Sequence, residues 1–97
     1  LGAVHRVFAV VGGEGVEALT LGNAALGADK ALVDQVQVFD QFSGPKAEAQ
    51  MGPGKKSIAI AVRLQPVSAT LTDKEIEVVS ARIVEKVSRA TGGTLRV

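Results

Sequence analysis

Residues 57–76 read Ser-Ile-Ala-Ile-Ala-Val-Arg-Leu-Gln-Pro-Val-Ser-Ala-Thr-Leu-Thr-Asp-Lys-Glu-Ile, and two neighbouring elements are written in them. Ile58, Ile60, Val62 and Leu64 alternate with Ser57, Ala59, Ala61, Arg63 and Gln65, the period-two pattern of a strand with one apolar side. Pro66 closes it. Thr72-Asp73-Lys74-Glu75 is a capping box: the threonine oxygen accepts the N–H of Glu75 while that carboxylate reaches back to the N–H of Thr72. Behind it Ile76, Val79, Ile83, Val87 and Ala90 form one helical stripe, and Gly92-Gly93 stops the helix.

Working outward, residues 4–11 (Val-His-Arg-Val-Phe-Ala-Val-Val) predict a strand ending at Gly12-Gly13. A helix is expected from Gly15 to about Ala28, with Val16, Leu19, Asn23 and Leu26 recurring at three- and four-residue steps and Gly22 weakening it. Residues 32–42 return to alternation and predict a second strand. Residues 43–56 carry Gly44-Pro45, Gly52-Pro53-Gly54 and three lysines, and are read as one long solvated connection. Residues 94–97 add a short last strand. The order is β-α-β-β-α-β, an α+β ferredoxin-like sandwich: a four-stranded antiparallel sheet, two helices on one face, the other face open.

The composition agrees with a single domain over residues 1–97. A chain of 97 residues, 46% apolar, buries roughly 60–65% of its unfolded surface, enough for one core and too little for a second domain flanking a deep cleft. Leu1 in place of methionine, with Met51 the only Met, suggests a fragment of a longer chain. Eleven basic against ten acidic side chains fall far short of the basic balance of an autonomous nucleic-acid binder, so any electrostatic footprint is local. Without cysteine there is neither a disulfide framework nor a thiolate metal site. No apolar run suits a membrane span, and a reducing cytoplasm is the expected compartment.

Catalytic motifs do not survive inspection. Gly13-x-Gly15-x-x-Ala18 follows a strand and opens a helix as a dinucleotide fingerprint does, but the chain lacks the second half of a doubly wound fold, and a plain turn explains it. Gly54-Lys55-Lys56-Ser57 leads into a strand where a phosphate loop leads into a helix, and position 49 is Ala rather than Gly. His5, the single histidine, has no acidic neighbour in its own strand. Asp73, Glu75 and Glu77 sit where a helix macrodipole accounts for them.

Val38-Phe39-Asp40-Gln41-Phe42 and Gly54-Lys55-Lys56-Ser57 bring a carboxylate, aromatic rings, two lysines and a hydroxyl to adjoining strand ends. Rings stack on unpaired bases, a carboxylate accepts hydrogen bonds from base edges, and lysines hold phosphates, so this set suits a single-stranded RNA loop. The competing reading is an Asp that caps the turn and a Phe that fills the core. Parity adds a condition: in a regular strand Val36, Val38, Asp40 and Phe42 share one side, so either a bulge near Phe39 or a partly apolar open face is needed.

Val-Phe-Asp-Gln-Phe (38–42), Gly-Lys-Lys-Ser-Ile-Ala (54–59) and Thr-Leu-Thr-Asp-Lys-Glu-Ile (70–76), in that order and spacing, resemble the ferredoxin-fold anticodon-binding domain that closes the beta subunit of bacterial phenylalanyl-tRNA synthetases. The resemblance covers nearly the whole chain. It implies a parent α2β2 ligase that uses ATP and magnesium, with the chemistry in the alpha subunit, and a domain that performs none of it, holds no cofactor or metal of its own, and binds the anticodon stem-loop of tRNA-Phe. By resemblance Asp40 bonds a base edge, Phe42 stacks on a base where the family usually has Tyr, Ser57 hydrogen-bonds nearby, and Ala9 is small enough to let the base approach. Lys55 and Lys56 complete the expected RNA-binding set. The chain departs from the family at Phe42, which lacks the phenolic hydroxyl, at Val7, where an acidic residue is common, and in its longer 43–56 connection. The rival expectation is a regulatory module of similar build that dimerises through its sheet and binds a metabolite at the 12–15 turn.

Overall fold

The computed structural model describes residues 2–66 and 69–96. The chain runs β1 (Val4–Gly13), α1 (Ala18–Leu26), β2 (Val33–Phe42), α2 (Pro45–Met51), β3 (Lys55–Leu64), α3 (Asp73–Thr91) and β4 (Thr94–Arg96). The strands form one antiparallel sheet in the order β2-β3-β1-β4. Ferredoxin-like topology puts the first and third strands at the centre, and here they pair over ten residues, from Val4 opposite Leu64 to Gly13 opposite Lys55. Of the predicted last strand, Val97 lies outside the described residues.

Burial follows the alternation. Phe8 and Val10 of β1 and Ile58, Ile60, Val62 and Leu64 of β3 join Leu21 and Ala25 of α1 and Ile76, Val79, Ile83 and Val87 of α3 in one core cluster. Removing this apolar surface from water, at about 25 cal/mol per Å², holds the helices to the sheet. The α3 termini are made as the residues predict. Thr72 Oγ1 accepts from Glu75 N at 3.2 Å and the Thr72 amide donates to Glu75 Oε1 at 3.1 Å, while Gly92 closes the helix by donating to the Ser88 carbonyl at 2.8 Å. Asp29 fastens the α1–β2 connection to this helix. One of its carboxylate oxygens accepts from the Ala31 and Leu32 amides, and the other accepts from Arg82 at 2.8 Å.

Two expectations are corrected. The connection at 43–56 is not continuous loop but contains α2, a third helix with Pro45 in its first turn and Ala47 fully buried. Pro is pre-shaped for that position, and Gly44 and Gly52 bracket the helix at φ of 95° and 111°, values that side-chain-bearing residues rarely adopt. The second correction concerns α1, which begins at Ala18 rather than Gly15 and buries Leu21 and Ala25. Leu19, expected in its apolar stripe, is 72% exposed, and Leu26 also faces out. The reason is size: the small Ala25 lets the helix axis come close to its neighbours, so the contact side is not the side with the largest residues.

Candidate nucleic-acid interface

The side of the sheet away from the core cluster is built from the odd-numbered positions of β1 and β3. In β2 the matching positions are set by two irregularities. Val33 pairs with Leu64 but Gln35 with Arg63, and Val38 pairs with Ile60 but Asp40 with Ala59, so Asp34 and Phe39 are each an extra residue in the ladder. An extra residue resets which side the following side chains take. Val33, Val36 and Val38 therefore point to the core, and Gln35, Gln37, Asp40 and Phe42 share the open side. Of the two arrangements parity allowed, the bulge is the one present: it lies at Phe39, whose ring is exposed and belongs to neither set.

The register draws the open side as rows running across β1, β3 and β2. Ala9, Ala59 and Asp40 form one row, and Val11, Ser57 and Phe42 form the next. Directly opposed residues have Cβ atoms about 4.5–5.5 Å apart. Ala9, Asp40, Phe42 and Ser57, remote in sequence, are thus brought together. Ala9 and Ala59 make a low floor beside a carboxylate, and the carboxylate is oriented: Asp40 Oδ1 accepts from the Gln41 amide at 2.9 Å, leaving its other oxygen without a hydrogen bond among the described residues. Phe42 is half-buried at the edge strand. Ser57 is only 6% exposed, enclosed on the central strand between Val11 and Phe42, so it contributes chiefly to the shape of the floor.

The two lysines part company. Lys55 is exposed and lies on the open side at the end of β3, opposite Gly13. Lys56 faces the other side and is 8% exposed, because adjacent residues of a strand point in opposite directions. It does not join the cluster with the other predicted residues.

The glycine turn after β1 is a turn in fact: the Val16 amide donates to the Gly13 carbonyl at 3.1 Å and the Glu14 amide donates to the Gly54 carbonyl at 2.8 Å. The hollow beside it is lined by Gly13, Gly15, Val16, Glu17, Thr20, Ala90 and Thr91, which offers a carboxylate and no cation to an incoming phosphate. Among the described residues no three His, Asp or Glu side chains gather as a metal site, and no helix is long and apolar enough to cross a membrane.

Sequence comparison gives this geometry its context. The chain is 71% identical over 96 residues to the phenylalanine–tRNA ligase beta subunit of Cereibacter sphaeroides, 64% identical over 96 residues to that of Ruegeria pomeroyi, and 53% identical over 94 residues to that of Mesorhizobium japonicum. These alignments cover 97–99% of the chain and only 11–12% of each relative. Residues 2–96 match the ferredoxin-fold anticodon binding domain, and with a four-stranded antiparallel sheet whose uncovered side groups small, acidic and aromatic residues, the chain belongs to that family.

Proposed function

We propose that this domain is the anticodon-reading module of a phenylalanine–tRNA ligase beta subunit and that its open sheet face holds the anticodon stem-loop of tRNA-Phe. The observation that carries this is the pair of adjoining rows, Ala9-Ala59-Asp40 and Val11-Ser57-Phe42. A base lying over the alanine floor has a ring beside it to stack on and a free carboxylate oxygen at its edge, and Lys55 at the strand end meets the backbone phosphate. On this reading the domain binds and does no chemistry. Ligation, with its ATP and magnesium, belongs to the rest of a cytoplasmic α2β2 parent, and the domain orients the tRNA for it.

The test is a titration of isotope-labelled chain with the anticodon stem-loop of tRNA-Phe, with a scrambled-loop RNA as control and a repeat at raised salt to expose the phosphate contribution. Amide shifts concentrated at Ala9, Asp40, Phe42, Lys55 and Ala59, absent with the scrambled loop, support the proposal. Equal shifts with both RNAs, or shifts centred on the 12–20 turn, would sink it.

A further inference from the structure

The rows that carry Asp40 and Phe42 take up one half of the open face. The other half consists of Val7-Ala61-Gln37 and His5-Arg63-Gln35, and it has the chemistry of a nucleotide site. Val7 is 63% exposed, an apolar side chain left uncovered on the sheet. Ala61 continues the low floor of Ala59. Gln35 and Gln37 are both exposed, and neither side-chain amide makes a hydrogen bond among the described residues. An amide that carries a donor and an acceptor side by side matches the edge of a base.

A cation stands at the end of this half. Arg63 is held rather than free: its Nη2 donates to Gln65 Oε1 at 3.3 Å and its Nε lies 3.8 Å from Asp34 Oδ2, with the side chain 41% exposed. The contact with Asp34 is too long for a strong hydrogen bond, and the Nε has no hydrogen-bond partner among the described residues. An exposed pair of this kind stabilises the fold little. It does keep a guanidinium, suited to phosphate, beside the two glutamines. Successive rows are two strand residues apart, roughly 6.7 Å, a step that a splayed, unstacked nucleotide of a loop spans.

We propose that Val7, Ala61 and Gln37 form a second base subsite, which takes the nucleotide next to the one held at Asp40 and Phe42, with Arg63 on its phosphate. The inference rests on the anticodon reading above and extends it from one base to two. It assigns Gln37 the role of reading the second base and Ala61 the role of admitting it.

The experiment measures affinity of the chain for the anticodon stem-loop of tRNA-Phe and for a set of the same stem-loops in which loop bases are removed one at a time to leave abasic sugars. Gln37→Ala and Ala61→Leu should each weaken the intact loop by about 5- to 50-fold. One abasic loop should bind Gln37→Ala no worse than the intact loop does, and its missing base should adjoin the one that behaves this way with Asp40→Ala. Arg63→Gln should make the slope of log affinity against log salt shallower by about 0.7, as loss of one single-strand phosphate contact requires. Gln37 is exposed on an edge strand, so its variant should melt with the wild type and the result does not depend on how Ala61→Leu folds. If Gln37→Ala and Ala61→Leu bind the intact loop as the wild type does while Asp40→Ala is weakened, the second subsite is overturned and the anticodon reading stands. If the wild type binds no loop, both fall.

Discussion

On one side of β3, Ile58, Ile60, Val62 and Leu64 are at most 1% exposed; on the other, Ala59, Ala61 and Arg63 are partly open to solvent and Ser57 is enclosed between its neighbours. The same eight residues of backbone thus divide their volume unequally. The core side is filled to the packing density of an interior, whereas the open side is kept low by Ala59 and Ala61, with Ala9 continuing the floor onto β1 and the longer Asp40 and Gln37 bordering it on β2. Volume on the first side holds the fold, and lack of volume on the second leaves a low strip of sheet, the place we propose for the RNA.

The contrast is broken most severely from the core side. Ile60→Ala should cost about 2–5 kcal/mol, because it removes a fully buried side chain and leaves a cavity between sheet and helices; urea unfolding of the two chains measures it. Phe42→Ala should leave the unfolding midpoint almost unchanged and weaken the anticodon stem-loop by about 1–3 kcal/mol, one base-stacking contribution. A large fall in stability with intact RNA affinity would mean that Phe42 belongs to the core after all. Thr72→Ala removes the hydroxyl half of the α3 capping box and should cost about 1 kcal/mol of stability, with RNA affinity at the wild-type value. Glu85→Ala breaks the exposed Glu85–Arg89 pair, 2.6 Å long and one helical turn apart, and should shift stability by only about 0.3–0.5 kcal/mol, visible as a slight change in melting temperature that disappears at high salt.

How much of this was legible in the sequence varies by element, for physical reasons. β3 and α3 are plain because their signals are local: strict alternation in one, a capping box and a single apolar stripe in the other. α1 is harder. Its N-cap residue Glu17 makes no side-chain capping bond and its first turn has no acidic residue, so what places it is tertiary contact through Leu21 and Ala25, and an alanine gives no hydrophobic signal in proportion to its role. α2 was hidden because Gly44, Pro45 and Gly52 also punctuate loops, although Ala47, Glu48, Ala49 and Gln50 between them are good helix formers. In the candidate site, Asp40, Phe42 and Ser57 could be grouped from adjoining strand ends and Ala9 only through the family resemblance, with a bulge near Phe39 one of the two arrangements parity allowed. Lys56 was grouped wrongly because it adjoins Lys55 in sequence while the pleat sends it to the opposite side. Gln35 and Gln37 form no motif, and only the register with Arg63 and Ala61 reveals them.

The bulge at Phe39 bears on how such a chain can change over generations. Codons gained or lost between Gly44 and Gly52 fall outside the sheet register and act on α2 and its buried Ala47. Loss of the single codon for residue 39 is a different event. It removes the extra residue itself, so Asp40 would follow Val38 in regular alternation and both Asp40 and Phe42 would stay on the open face, opposite Ala59 and Ser57. Within β2, then, the bulge is a place where one residue can be lost while the open face keeps its side chains, and a reader of related sequences should expect a one-residue gap there to leave the Asp40–Ala59 row unchanged.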